Sequence, residues 1–437
     1  MMQDFLIHPN LNINDKGHLT VSGQDCTDLA AQYGTPLYLL DEQLVRANCR
    51  AYVQTVKECF PEGSMPLLAS KALSFTGIYK IAASEGMGTD LVSSGELFTA
   101  KKAGFPLEKA FFHGNNKTDF DIAFAMDCGV GYFIVDNCHE LNAVNREAES
   151  RGIRQKILLR LTPGIDPHTH KAITTGTVDS KFGSVIENGQ AEVIALQALA
   201  MNGIDLRGFH CHVGSQVFDI DPFVQAGEIM LRFIKEMQTK HGYVTEFCNL
   251  GGGFGARYLP CHPTPDYAAY IRAMAAEIKK ICDALMMPCP KILLEPGRSI
   301  VAAAGTTLYT AGSVKHTPNG KTYVSVDGGM PDNPRYALYE APYTVVNASR
   351  ADKATDCLCS VVGRCCESGD ILQENLRMAS AERGDIIAVL TTGAYNYSMA
   401  SNYNRLPRPA LVILNGNENR IGVRRETFED LVACDAD

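Results

Sequence analysis

The sequence predicts an α/β protein: a (β/α)8 barrel of the TIM type with a second, mainly β domain at its C-terminal side. Between Pro36 and Ser299, short apolar runs alternate with longer helix-patterned stretches, the mark of repeated βα units around a parallel sheet. There are eight such runs, which matches a closed barrel better than an open doubly wound sheet. Beyond Ser299 the pattern changes to strands and turns, and 437 residues are too many for one ordinary core. We therefore expect residues 36–300 to form the barrel and residues 1–35 plus 301–437 to form a β-rich domain.

The eight runs are Leu67–Ser70, Gly88–Val92, Ala110–His113, Tyr132–Val135, Lys156–Leu161, Leu206–Cys211, Thr245–Leu250 and Lys291–Glu295. Helix punctuation separates them. Asn137 is placed to cap a helix from Cys138, with Glu140 positioned to close a capping box and Gly152 to stop it. Asp221-Pro222 reads as an N-cap and first-turn proline, after which Phe223, Ala226, Met230, Phe233 and Met237 recur at helical spacing as a core stripe. In the C-terminal third, Thr306–Lys315 and Lys321–Val326 flank a Pro318-Asn319-Gly320 turn, and Ala410–Leu414 and Arg420–Arg424 flank Asn415–Asn419.

Composition excludes several classes of function. Hydrophobic residues make up 46% and charged residues 20%, and no apolar run approaches the roughly 20 residues of a membrane helix. The segment Met1 to Asn10 lacks a basic patch followed by an apolar stretch, so a cytoplasmic location is expected. The fifteen cysteines form no Cys-x-x-Cys pair, and most read as small buried hydrophobes. A net charge of −9 argues against nucleic acid, whose binding needs clustered cations. A small-molecule substrate is expected.

A parallel barrel gathers its reactive groups at the carboxyl ends of its strands. Here those ends present Lys71, Asp90 with Ser94, His113, Asp136, Arg160, His212, the Gly251–Gly255 loop, and Glu295 followed by Arg298. Lys71 follows an apolar run and would reach a low-dielectric mouth, where an amine deprotonates and can form a Schiff base; the alternative is a snorkelling strand-end lysine. Stacked glycines after the seventh strand suit an anion cradle, or simply a tight turn. Glu295 could hold a pyridine nitrogen protonated. Arg298 offers a fork for a substrate carboxylate, or a surface ion pair. His210 and His212, two apart on a strand, share a face as metal ligands would, but the first strand supplies a lysine where a barrel metallohydrolase would place such a pair. His168 and His170 read as polar loop residues. No metal site is expected.

Taken in order, these stations resemble the fold-type III pyridoxal-phosphate (PLP) decarboxylases, and within them the diaminopimelate decarboxylases. The resemblance runs through Tyr33-Gly-Thr-Pro-Leu-Tyr38, Ala69-Ser-Lys-Ala72, Asp90-Leu-Val-Ser-Ser-Gly-Glu96, His113-Gly-Asn-Asn-Lys117, His212-Val-Gly-Ser-Gln216, the glycine loop and Glu295-Pro-Gly-Arg-Ser299. It continues through Asn333-Pro-Arg335, Ala337-Leu-Tyr339, Cys366-Glu-Ser-Gly-Asp370 and Gly393 to Ala400. The resemblance implies decarboxylation of meso-2,6-diaminopimelate to L-lysine, the last step of lysine biosynthesis. The alternatives are a sibling acting on carboxynorspermidine, ornithine or arginine and, further off, a metal-dependent barrel hydrolase. It implies that Lys71 binds PLP, His212 stacks on its ring and Glu295 faces its nitrogen. Asp90, Ser215, Gly251, Gly252, Gly253, Gly297, Arg298 and Tyr395 would complete the cofactor site. Arg298, Arg335, Tyr339, Glu367 and Tyr395 would hold the substrate, and Cys366 would return a proton. In such enzymes Cys366 and Glu367 come from a second subunit, so the β-rich domain would complete both the active site and the interface of a homodimer. An extra cysteine, Cys365, stands beside the expected acid.

Overall fold

The structure, a computed structural model, describes residues 4–165 and 181–436; His168 and His170 lie outside them. The chain divides into two compact units, one comprising residues 48–255 and 265–297, the other residues 1–47, 256–264 and 298–437.

The first unit is the expected barrel. Its strands are Met65–Ala69, Gly88–Leu91, Ala110–Phe112, Tyr132–Val135, Gln155–Thr162, Ile204–His210, Phe247–Asn249 and Lys291–Leu294. Each pairs in parallel with the next, and the last pairs with the first through Leu293 opposite Met65 and Leu294 opposite Pro66, closing the sheet. All eight expected runs are strands. They are short because each spans only the barrel wall, and Leu67, Phe111, Ile134, Leu158, Phe247 and Leu293 meet as one buried cluster. Such inward-facing layers make a filled core rather than a pore.

Two helix starts differ from expectation. Asn137 does cap Cys138–Ser150 by accepting from the Glu140 backbone, but the Glu140 side chain does not close a capping box. It is buried, 2.7 Å from Lys117 Nζ, which also donates to the carbonyls of Gly114 and Ile134. A buried ammonium costs several kcal/mol unless paired, and this outweighs the small gain of a box. The helix Asp221–His241 takes Asp221 as its first residue rather than its cap, and the expected stripe is buried.

The second unit is mainly sheet. Its longest strand, Gly305–His316, pairs antiparallel with Thr322–Val326 across the expected turn, and with Leu37–Asp41 and Ile386–Leu390. Leu37–Asp41 also pairs with Ala410–Asn415, which forms a hairpin with Glu418–Val423. The barrel boundary expected at Pro36 is thereby corrected: all five residues of Leu37–Asp41 are buried, as a strand flanked on both edges requires. Leu39, Leu308, Ala388 and Val412 lie in the unit's core.

All fifteen cysteines are free, and the expectation that most are buried is corrected: six are buried, the rest partly or fully exposed. Cys59, Cys128 and Cys138 sit at helix ends, where apolar runs meet solvent. Among the described residues no helix is long and apolar enough to cross a membrane.

Candidate active site

The barrel unit assembles its polar strand ends around Glu295, which is 6% exposed. Asn249 Nδ2 donates to Glu295 Oε1 at 2.7 Å and His210 Nε2 lies 3.2 Å from Oε2. His113 Nε2 is 2.9 Å from Oε1, at ion-pair distance but without hydrogen-bond alignment. Burial opposes charge on all three titratable groups, yet the groups divide. The nitrogens around Glu295 hold its pKa well below the ordinary carboxylate value. Burial lowers His113 and brings His210 down to about 4. The imidazoles and the Asn249 amide around Glu295 favour its anionic form against the cost of burial.

The strand ends at His210, and His212 lies just past it, its Nδ1 accepting from the Gly252 backbone at 3.3 Å. Burial, then the charges of Lys71 and Arg160, lower the His212 pKa well below its usual value. The ligand atoms of His113, His210 and Glu295 lie within 4.8 Å of one another, and in the structure they face each other.

Lys71 occupies a short 3-10 turn, Ser70–Ala72, just past the end of the first barrel strand, and is exposed. The expectation of a low-dielectric position applies to its neighbours instead, because the turn carries the lysine beyond the last strand residue. Asp90 Oδ1 accepts from the Ser70 backbone and Glu96 Oε2 from the Ser70 hydroxyl. Burial raises the pKa of both carboxyls and the nearby Lys71 charge lowers it. Glu96 was missed as a site residue, although its place in the first turn of Ser94–Ala103 was readable.

The glycine loop is set by crowding. A Cβ at Gly252 would stand 1.9 Å from the Glu295 carbonyl, and one at Gly253 2.3 Å from that of Gly214, while Gly251 has φ +68°. These positions exclude any side chain. The Gly251 N–H is taken by Asn249 Oδ1 and that of Gly252 by His212, so the loop is not a bare cradle of convergent donors. Ser215 is half-buried at the loop after His212. Gly297 packs against Ala69, where a Cβ would come within 2.8 Å. A ring with an aldehyde, a basic nitrogen and a phosphate fits this donor set: an amine, a buried anion, a neutral imidazole and a side-chain-free loop.

The β-rich unit holds a cluster of opposite sign. Arg298 and Arg335 are 6% and 8% exposed, deeper than surface ion pairs. Arg298 Nη1 donates to Tyr258 at 2.7 Å and Arg335 Nη1 to Tyr343 at 2.8 Å. The Tyr395 ring lies 4.8 Å from the Arg298 guanidinium, and the Tyr258 ring 5.0 Å from that of Arg335. Burial would raise the Tyr258 pKa, but the two arginines more than offset it and lower it. Tyr258 was not anticipated; it follows the glycine loop closely in the chain but belongs to the β-rich unit. Tyr339 is half-buried at the end of Arg335–Tyr339, and Cys366 and Glu367 are exposed. Cys365 is held back: burial, then Asp370, push its thiol up to about 12.

Comparison with known proteins agrees with this chemistry. The pyridoxal binding domain of pyridoxal-dependent decarboxylases matches residues 46–302. The chain is 44% identical to a diaminopimelate decarboxylase of Bacillus methanolicus, covering 96% of this chain and 97% of that protein. It is 43% identical to one from Bacillus subtilis, covering 98% of each. A crystal structure of diaminopimelate decarboxylase from M. jannaschii in co-complex with L-lysine superposes with a TM-score of 0.89 at 33% identity, covering 100% of this chain and 99% of that one. The chain belongs to the pyridoxal-dependent decarboxylase family and, within it, to the diaminopimelate decarboxylases.

Proposed function

We propose that the chain converts meso-2,6-diaminopimelate to L-lysine and carbon dioxide, in the cytoplasm, at active sites shared between two copies of itself. The observation that carries this reading is the buried Glu295 carboxyl, met by Asn249 at 2.7 Å and His210 at 3.2 Å, in the barrel whose first strand leads into the turn of Lys71. PLP, when bound, supplies the electron sink for the broken carbon–carboxylate bond.

The chain's residues do the rest. Lys71 would hold the cofactor through Nζ. Glu295 offers a fixed anionic acceptor, which favours a proton on the pyridine nitrogen. His212, kept neutral, gives a flat apolar face without adding charge. Gly251, Gly252, Gly253 and Ser215 would hold the phosphate, while Asp90 and Gly297 shape the surroundings of the lysine. Arg298, Arg335, Tyr339 and Tyr395 hold and orient the substrate. A substrate with no second carboxylate, such as ornithine or arginine, would leave the buried arginines without that counter-ion, a penalty that can exceed a thousandfold in sites built on hydrogen bonds. Cys366 delivers a proton from Sγ and Glu367 receives the distal ammonium, both from the second copy; their exposure in a single chain supports that assignment.

The test is the visible spectrum of the purified protein with and without meso-diaminopimelate, beside Lys71→Ala. We expect a yellow protein whose band shifts on substrate addition with release of carbon dioxide, and neither property in the variant. Equal turnover of ornithine, arginine or carboxynorspermidine would overturn the substrate assignment.

A further inference from the structure

The loop bearing Cys366 is pinned by its backbone at four consecutive residues. Gly363 N donates to the Asp370 carbonyl at 2.8 Å, Arg364 N to the Gly328 carbonyl at 2.9 Å, Cys365 N to Asp370 Oδ2 at 2.7 Å and Cys366 N to Asn404 Oδ1 at 2.8 Å. The other carboxylate oxygen, Asp370 Oδ1, accepts from Met330 N at 2.6 Å, so this one side chain ties the Cys366 loop to the segment leading into Asn333-Pro-Arg335. Asp370 is 3% exposed while Cys366 and Glu367 are exposed. Two glycines make room for it: a Cβ at Gly329 would stand 2.4 Å from Asp370 Oδ1, and one at Gly363 2.2 Å from Oδ2. Short charge-assisted bonds to backbone N–H groups are among the stronger and more directional ones available.

We infer that Asp370 is a positioning residue for proton delivery: its carboxylate fixes the backbone from which Cys366 and Glu367 project, and holds the neighbouring Cys365 thiol away from that role. This rests on the proposed shared site. Asp370 touches no substrate and acts only through the loop. Misplacing a reacting group by about 1 Å can cost about a hundredfold in rate.

Asp370→Asn keeps the shape but loses one acceptor for the two N–H groups. In the holoenzyme we expect kcat for meso-diaminopimelate to fall about tenfold to a hundredfold, with the cofactor absorption band and the dimer mass in sedimentation unchanged. Mixing chains separates this from general damage. Asp370→Asn mixed with Lys71→Ala should regain activity, toward about a quarter of wild type for random pairing in a symmetric dimer, because one site then joins an intact lysine to an intact loop. Asp370→Asn mixed with Cys366→Ala should not. Wild-type kcat in Asp370→Asn, or equal recovery with both partners, overturns the inference. The control mixture of Lys71→Ala with Cys366→Ala tests the shared site itself: if that pair fails to complement, the reading beneath is wrong whatever Asp370 does. Should Asp370→Asn fail to assemble, Gly363→Ala, which displaces the carboxylate without removing it, decides on the same readouts. Failure of both variants to assemble assigns Asp370 to stability and counts against a positioning role.

Discussion

Two buried carboxyls, one in each unit, meet opposite fates. Glu295 in the barrel is surrounded by Asn249, His210 and His113, and stays ionised. Asp332 in the β-rich unit is 2% exposed, accepts from Gly329 N, and has Asp327 and Asp370 as its acidic neighbours; burial pushes its pKa up to about 7. Burial is alike in both, so the count of donors against like charges decides which carboxyl keeps its proton. A barrel favours the first outcome, because residues far apart in sequence converge at one rim: His113, His210, Asn249 and Glu295 come from four different strand ends.

The largest effect should come from removing the charge of Glu295 while keeping its shape. In Glu295→Gln the amide can still accept from Asn249, and a neutral His210 can switch tautomer to accept from the new NH2 group, so the fold should survive. We expect kcat to drop about a hundredfold or more, with the cofactor still bound by absorbance. A kcat within about threefold of wild type would mean that the buried anion is structural and that the contrast with Asp332 has no functional content.

A smaller effect is expected from the arginine–tyrosine cluster, which reverses the barrel's signs. Tyr258→Phe deletes the acceptor of a 2.7 Å bond from the buried Arg298 guanidinium. A hydrogen bond to a charged group contributes about 1.5–3 kcal/mol, so KM for meso-diaminopimelate should rise about tenfold. The change should sit in KM with little in kcat if Arg298 holds substrate alike before and during reaction. A loss confined to kcat would sharpen the comparison differently, placing Tyr258 beside the reacting bond.

Much of this arrangement was legible in the sequence. The barrel could be read because each strand is a short apolar run closed by a polar residue, a local signal. Glu295 could be read from its place at the end of such a run. Its partners could not: His113, His210 and Asn249 lie far from Glu295 in the chain, and only the closing of the barrel brings them beside it. Leu37–Asp41 carried no mark of which sheet it would join, since register and partner are set by tertiary pairing. Tyr258 was hidden for a similar reason, lying in the short excursion 256–264 that joins the other unit. The role of Glu140 was missed because a capping box is a local pattern, whereas its partner Lys117 arrives from the preceding βα loop.

The smallest effect concerns stability, and its sign follows from the raised pKa of Asp332. In the folded chain this carboxyl keeps its proton up to about pH 7, whereas in the unfolded chain it ionises near 4. Between those values the folded state binds more protons, so stability falls as pH rises, and the whole penalty is present above the folded pKa. Asparagine cannot ionise and can still accept from Gly329 N. Asp332→Asn should therefore match wild type near pH 4 and exceed it at pH 8 by about 1–2 kcal/mol, less than full linkage because the neighbouring acids can relax. Denaturant unfolding at the two pH values checks this. A variant less stable at pH 8, or a difference that does not change with pH, would mean that Asp332 finds donors enough to ionise within the fold, and that the two buried carboxyls differ less than their surroundings indicate.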